Sequence, residues 1–251
     1  MIMRPLNIKF SIDEEYLHHG IKQPTPAKKH IPEWFKKSSR YINESCPHDI
    51  EPCYDEDNVG HNLTIKTCMP VQDAVTSGYL LYTTNDIIII NDKKEGKLNI
   101  QWPQTERDGV YIEQHSSQQF KHSEKLIDKS IAKSYMLKFM NPWNISTSPG
   151  TSCYFTTPAY HDVPFEILPG IVDTDSYPLN INFPFSIKIP EDRILIPKGT
   201  PFVHIYPFKR ENWKMEVEKT DIKQTKQDFK NFKSVLSGWY RRFAHNKKRY
   251  D

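Results

Sequence analysis

Short apolar runs that alternate with polar residues dominate the middle of this 251-residue chain. Residues 63–68 show the period of two that is typical of half-buried strands, and a second β-prone run follows at residues 78–84. Residues 86–90 are almost wholly apolar, which indicates burial on both faces, and a turn at 91–96 leads into residues 97–102. We therefore predict a hairpin over residues 86–102. Residues 141–208 continue as short β-prone runs separated by Pro and Gly, and residues 214–218 predict a last short strand, so the fold class is predicted to be mainly β.

The two ends of the chain have different patterns. Residues 1–60 mix short β-prone pieces with polar stretches, which predicts an extended N-terminal arm. Within this arm, residues 31–37 predict a short helix with Pro32 in its first turn. The neighbouring aromatics Trp34 and Phe35 either dock on the body or are held for a partner.

The C-terminal pattern predicts an amphipathic helix over residues 227–247. Its apolar positions fall on one helical face; they are Phe229, Phe232, Val235, Leu236, Trp239, Tyr240 and Phe243. The predicted domains are thus an arm at 1–60, a β-rich core at 61–218 and a basic C-terminal helix at 219–251. This helix would pack on the body, exchange into a neighbouring subunit or lie on nucleic acid.

Composition narrows the class of protein. No run approaches the roughly 20 apolar residues of a membrane span, and the N-terminus lacks the features of a signal peptide. With four cysteines the chain is no disulfide scaffold, so we expect a soluble protein of a reducing cytoplasm, or of a particle assembled there. Residues 221–251 hold nine Lys or Arg and three Asp, a net +6 against +3 for the whole chain. The low total argues against nucleic acid as the main partner.

An acidic cluster, Asp173-Thr174-Asp175-Ser176-Tyr177, follows the β-prone residues 170–172. Carboxylates two residues apart on an extended chain point to one side. Asp173 and Asp175 would then hold a cation or orient a water as general base. The alternative is a turn in which Asp and Ser side chains satisfy local backbone groups.

Residues 170–177 resemble the strand and loop of the dUTPase and dCTP deaminase superfamily, which has the β-clip fold. Residues 73–82 and 196–205 are similar to its early and late strands, in the expected order. The resemblance implies a trimer, with Asp173 as the catalytic, water-activating carboxylate and Tyr177 facing the deoxyribose. It further suggests Asp175, His204 and Tyr79 as ligand-binding residues, with Mg²⁺ as the cofactor if a nucleotide binds.

The same stretch departs from that superfamily where phosphate would be held. Residues 155–158 contain no Arg, His204 stands at or near the place of a Gln, and a Gly-rich C-terminal segment is absent. Because a triphosphate needs cationic or backbone donors, these departures argue against hydrolysis more than against the fold.

A second resemblance extends along nearly the whole chain. Residues 31–34, 67–74, 141–143, 170–177, 182–185 and 197–201 together resemble an uncharacterised protein family of marine tailed phages, notably cyanophages. It implies a viral source and a location in the host cytoplasm or the virion, with other virion proteins as partners. It implies no established activity.

Cysteine and histidine residues gather loosely between residues 46 and 68. Zinc ligands usually come in close pairs, whereas the spacing here is irregular. We therefore expect free thiols and no metal, with no cofactor required by the sequence; the residues concerned are Cys46, His48, Cys53, His61 and Cys68.

Three functions follow as hypotheses. The first is a non-enzymatic, homo-oligomeric phage protein that serves assembly or sequesters a small ligand. The second is a nucleotide-processing enzyme that uses Asp173. The third is a nucleic-acid-binding accessory protein that uses residues 226–249. A basic residue that reaches the acidic loop from the arm or the C-terminal helix of another subunit would favour the second.

Overall fold

The computed structural model describes residues 6–17, 21–41, 63–92, 94, 97–101, 111–115, 117–120, 136–187, 192–233 and 239–251. Strands predominate in this part of the chain. They are β1 (Ile8–Ser11), β2 (Thr25–Pro26), β3 (Tyr79–Tyr82), β4 (Ile87–Asp92), β5 (Lys97–Gln101), β6 (Tyr111–His115), β7 (Met136–Met140), β8 (Asn144–Thr147), β9 (Thr151–Thr156), β10 (Phe165–Ile167), β11 (Gly170–Val172), β12 (Phe183–Ile187), β13 (Arg193–Ile196) and β14 (Pro201–Lys209).

The α-helices of the described residues are short. They are α1 (Glu14–Leu17), α2 (Glu33–Lys37), α3 (Met69–Thr76) and α4 (Ile222–Lys233). None of them has the length and apolar character that a membrane-spanning helix requires.

The strands pair only in antiparallel fashion, in four sheets with the orders β11-β9-β14-β3-β2, β10-β12-β7-β6, β13-β4-β5 and β1-β8. The expectation of a mainly β protein is therefore confirmed. The predicted hairpin is also present, because β4 pairs with β5 with Ile89 opposite Ile100. Burial of residues 86–90 on both faces is wrong: Ile87 and Ile89 are buried while Ile88 and Ile90 are only half-buried, since an antiparallel sheet can turn one face outward.

Phenylalanine rings from several strands form the centre of the core. Phe139 on β7 stacks on Phe185 of β12 with ring centroids 4.2 Å apart. Phe165 and Phe202 approach the same ring at 5.1 and 5.0 Å. All four side chains are fully buried, and each such ring buries a large apolar area.

The chain divides into two compact units, Met1–His30 with Gly78–Arg210, and Ile31–Ser77 with Glu211–Asp251. In the first unit, β1 pairs with β8 and β2 pairs with β3, so these pieces of the N-terminal arm are strands of the β body. In the second unit, Phe35 of α2 is buried with Val71 and Val75 of α3, while Trp34 is 41% exposed. The predicted boundaries at residues 60 and 218 stay predictions.

The C-terminal helix differs from its prediction in its bounds. Helix α4 begins at Ile222, five residues before the predicted start, and ends at Lys233 where the described residues stop. After residues 234–238 a π-helical turn spans Tyr240–Ala244. Phe229 and Phe243, two members of the predicted aromatic face, are 56% and 65% exposed.

Candidate functional site

The acidic cluster forms a turn directly after β11. The amide N–H groups of Ser176 and Tyr177 both donate to the carbonyl oxygen of Asp173, at 3.1 and 2.9 Å. Thr174 is buried, and its hydroxyl lies 2.8 Å from that of Thr147. Asp and Ser are favoured in such turns because their side chains bond the local backbone. The turn alternative for this loop is therefore the conformation present.

Both carboxylates of this turn converge on Arg210, the residue after β14. The Arg210 Nη1 donates to Asp175 Oδ1 at 2.9 Å, and Nη2 donates to Asp175 Oδ2. The same Nη1 lies 3.2 Å from Asp173 Oδ1. A guanidinium that faces a carboxylate with two parallel N–H groups is the strongest common ion-pair geometry.

Strand β9 and the turn before it complete this acidic corner. The Ser152 hydroxyl donates to Asp173 Oδ1 at 2.6 Å, and the Gly150 amide donates to Asp175 Oδ2 at 2.8 Å. The corner, defined as Gly150, Ser152, Asp173, Asp175 and Arg210, thus ties the ends of β9, β11 and β14 together.

Arg210 controls the electrostatics of the acidic corner. Its hydrogen bond is the largest of the effects that hold the pKa of Asp175 at about 2, and Asp175 in turn raises the pKa of Arg210. Two carboxylates against one guanidinium leave one net negative charge, and Asp173 is the more exposed member at 60%. A cation or a water placed between the carboxylates would have to displace Arg210.

The sequence prediction missed Arg210. Its only local signal is a position at the end of the long β-prone run 201–209. Recognition required the register of β14 on β9, where Lys209 lies opposite Thr151. The Asp175 and Arg210 side chains, 35 residues apart, meet because β11 and β14 both pair with β9.

The other predicted ligand-binding residues lie in different surroundings. Tyr177 is 41% exposed. Tyr79 is half-buried with its ring edge-on to Phe10 at 5.6 Å. His204 is buried; its Nδ1 accepts the Ala159 amide N–H at 3.2 Å, and its ring stacks on Tyr206 at 4.2 Å.

These five predicted residues do not form one site. His204 and Arg210 are six positions apart on and just beyond β14, which corresponds to about 20 Å of strand. Tyr79 lies opposite Ile205, beside His204. The structure thus brings Asp173 and Asp175 together at one end of β14 and places Tyr79 and His204 towards the other end.

The resemblance of residues 73–82 to an early strand also holds only in part. Asp73 lies in α3, and the strand begins at Tyr79. In the second unit, Lys248 and His245 contact the Asp73 carboxylate. Burial acts to raise the pKa of Asp73, but the hydrogen bonds from Lys248 and His245 outweigh burial and lower it.

A second group of titratable residues, which the sequence analysis did not find, lies around Tyr82. The Lys22 Nζ lies 3.4 Å from the centre of the Tyr82 ring and 3.5 Å from His30 Nδ1. His30 stacks on His161 with ring centroids 5.6 Å apart. Thr25 and Tyr82 share a hydrogen bond between their hydroxyls. We call Lys22, His30, Tyr82 and His161 the histidine cluster.

Burial dominates the electrostatics of the histidine cluster. It lowers the pKa of Lys22 and raises that of Tyr82. Burial, and then the neighbouring His30, lower the pKa of His161 to about 4. The His161 imidazole is therefore neutral at pH 7, which allows it to stack on another histidine without charge repulsion.

Metal ligation finds no support in the part of the chain that the structure describes. That part contains no group of three or more His, Cys, Asp or Glu placed to hold an ion. Cys68 lies at the start of α3 as a free thiol. Cys46, His48, Cys53 and His61 of the predicted loose cluster lie outside the described residues. Burial raises the pKa of the Cys153 thiol to about 11, so this cysteine is unreactive at neutral pH.

Comparison with known proteins assigns no family to this chain. No family model matches the chain, and no curated protein does. Among solved structures, a native EIAV dUTPase is similar with a TM-score of 0.29 and 12% sequence identity, over 57% of this chain and 84% of that chain. At this TM-score the likeness establishes neither a shared fold nor a shared activity.

Proposed function

We propose that this chain is a non-catalytic, β-rich protein that works as a homo-oligomer, as an assembly component or by sequestering a small ligand. The observation that supports this most is the engagement of Asp175 and Asp173 by Arg210 of the same chain. A carboxylate that is to act as a general base must reach a water or a substrate proton. Here both carboxylates are instead bound by donors of the same chain, above all by Arg210.

The chemistry of the corner agrees with a structural role. A general base works best with a pKa near the operating pH, whereas Arg210 drives the pKa of Asp175 to about 2. The residual charge is negative, and a negative corner repels a polyphosphate. Arg210, which would be the natural phosphate ligand, is already paired.

The finer features of this proposal rest on sequence motifs alone. A β-clip-like body, a trimer and a place in a tailed-phage virion or its host's cytoplasm are what residues 170–177 and the accompanying motifs suggest. We include them as parts of the proposal.

The second candidate is a dUTPase-like enzyme that binds or hydrolyses a nucleotide, with Mg²⁺ as a possible cofactor. The observation in its favour is that Asp173 is 60% exposed and therefore accessible to a ligand. The third candidate, nucleic-acid binding through residues 226–249, is weakened because Lys248 is paired with Asp73.

Thermal unfolding in the presence of deoxynucleotides, ribonucleotides and divalent metals tests the proposal. A ligand that binds the folded state raises the unfolding midpoint by mass action. We expect no nucleotide to produce a shift that Asp173→Asn abolishes. The matched control is Asp162→Asn, another exposed aspartate of the first unit. A shift that Asp173→Asn abolishes and Asp162→Asn keeps would move the assignment to the enzyme.

A further inference from the structure

The exit segment, residues 211–218, has the pattern of a strand but is not one in the described structure. Its sequence alternates apolar and charged side chains, yet residues 211–220 have no regular secondary structure. Trp213, Met215 and Val217 are 88%, 87% and 86% exposed. In an extended chain these three side chains lie on one side. Three adjacent large apolar residues exposed in this way mark a surface that another protein covers.

The first unit exposes a matching surface, which we call the apolar strip. Ile171 of β11 lies opposite Tyr154 of β9, and Tyr154 lies opposite Tyr206 of β14. Phe208, two residues beyond Tyr206, is on the same face of the sheet. Ile171, Tyr154 and Phe208 are 63%, 36% and 39% exposed.

The apolar strip reaches the edge of its sheet at Ile171. Strand β11 is the edge of the five-stranded sheet within the described residues, with β9 as its one strand neighbour there. An edge strand presents backbone groups that can accept a further strand.

We propose that the exit segment of one copy of this chain binds the apolar strip of a second copy, as an added strand beside β11. Strand addition supplies backbone hydrogen bonds that the exit segment does not make with the described residues, and it places the apolar side of the segment next to Ile171. Because each copy carries one segment and one strip, head-to-tail exchange can close into a ring, as in the trimer of the proposed function.

Charge favours a second copy over nucleic acid or an anionic membrane. Residues 211–218 contain one Lys and three Glu, a net charge of −2. Such a segment has no attraction for nucleic acid or for an anionic membrane surface. The inference rests on the homo-oligomer of the proposed function and names the surfaces that would form it.

The first test is the molar mass of the full chain in solution, by sedimentation velocity over a range of concentrations. We expect the wild type to exceed its monomer mass of 29.6 kDa. The triple substitution Trp213→Ser, Met215→Ser and Val217→Ser should raise the dissociation constant at least about tenfold, since buried apolar anchors dominate interfaces.

A matched control uses the intervening positions of the same segment. Lys214→Ser, Glu216→Ser and Glu218→Ser change as many residues on the other side of the extended chain. We expect this control to associate like the wild type, and Ile171→Glu to associate as weakly as the apolar triple variant. A monomeric wild type, or equal weakening by both triple variants, would overturn the proposal.

Photocrosslinking gives an independent answer. A photoreactive amino acid replaces Met215, and chains of natural and ¹⁵N isotopic composition are mixed before irradiation. The proposal predicts mixed-isotope crosslinks to peptides that contain Tyr154, Ile171 or Phe208. Crosslinks confined to one isotope would show that the segment binds its own chain and would refute the exchange.

These outcomes are separable from those of the proposed function. Nucleotide turnover that depends on Asp173 would end the non-catalytic assignment and leave the segment exchange standing. Loss of the exchange would leave the assignment of the acidic corner untouched, because Trp213, Met215 and Val217 are not part of it.

Discussion

Asp175 sits between a backbone amide and a guanidinium, and this environment makes its charge a stabilising feature of the fold. The folded-state pKa of about 2 lies below the ordinary value of 3.8. The group therefore contributes stability that is complete above about pH 4 and is lost as the pH falls through about 2. Because these contacts engage Arg210, its guanidinium is not available to bind another group at this corner.

We predict that Asp175→Asn lowers the midpoint of thermal unfolding by a few degrees at pH 7. The gap between variant and wild type should narrow as the pH is lowered from about 4 towards 2, because the wild-type carboxylate then becomes protonated. Thermal unfolding followed by circular dichroism measures this. Asp162→Asn, at an exposed aspartate, is the control, and a gap that does not depend on pH would contradict the account.

Unlike Asp175, His161 is a base, yet its lowered pKa also makes the folded state more stable at neutral pH than at acidic pH. Burial and His30 lower its folded-state pKa to about 4 from an ordinary value of 6.5. The unfolded chain thus binds the proton more readily, so stability is complete above about pH 6.5 and falls as the pH drops to 4.

We predict that His161→Phe reduces the loss of stability between pH 7.5 and pH 4.5. Phenylalanine keeps a ring that can stack on His30 but has no proton to bind. Denaturant unfolding at the two pH values gives the free energies to be compared. An equal loss in both proteins would mean that His161 is protonated freely in the folded state.

Among the glycines that the structure describes, Gly78 has the least room for a side chain. Its φ is +76°, and a Cβ atom at this position would lie 2.2 Å from the carbonyl oxygen of Ile205. Gly199 has a similar φ of +80°, but no atom lies within 4 Å of the place where its Cβ would be. Substitution of the two glycines therefore separates two costs. Backbone strain arises at both positions, and steric overlap arises at Gly78 alone.

We predict that Gly199→Ala costs about 1–2 kcal/mol of the free energy of unfolding, from the left-handed backbone alone. Gly78→Ala should cost more than about 4 kcal/mol, because the backbone of β14 must also move. Denaturant titration of both variants provides the comparison. Similar losses in the free energy of unfolding would show that the backbone of β14 can move at Ile205 at little cost.

At the scale of elements, the aromatic centre of the core holds two sheets together. Phe139 on β7 contacts rings from β10, β12 and β14. We predict that Phe139→Ala lowers the free energy of unfolding by about 3–5 kcal/mol. Phe243→Ala, at a ring that is 65% exposed, should change it by less than about 0.5 kcal/mol. Urea denaturation distinguishes the two, and equal effects would contradict the described core.

Local pattern predicts the elements whose causes are local. An apolar run followed by turn residues predicted the β4–β5 hairpin, and Pro32 marked the start of α2. Local propensity also predicted a strand at 214–218, which the described structure lacks, because a strand needs a partner and no sheet of the described residues accepts this one. If a second copy supplies that partner, the pattern at 214–218 has its explanation.

The candidate site was predictable only in part, for the same reason. The two carboxylates are visible as neighbours in the sequence, and they do converge in space. Arg210 and the histidine cluster are not visible, because Arg210–Asp175 and Lys22–Tyr82 contacts depend on strand register across 35 and 60 positions. Single-sequence patterns contain the period of each strand but not its pairing.

At the scale of the whole molecule, the exit segment and the apolar strip are apolar surfaces that remain exposed outside the core. The exposed exit segment and the apolar strip belong to one chain, so association of copies is the simplest way to cover both. The acidic corner, by contrast, is complete within one chain. The proposed function without catalysis is consistent with this division, because the carboxylate pair is occupied within its own chain.

The most direct test of the non-catalytic assignment is phosphate release from the deoxynucleoside and ribonucleoside triphosphates, with Mg²⁺ present, by the purified wild type and by Asp173→Asn. Detection by ³¹P magnetic resonance also identifies pyrophosphate and monophosphate products. The account predicts identical rates for both proteins, at the level of buffer alone. Turnover by the wild type that Asp173→Asn abolishes would contradict it.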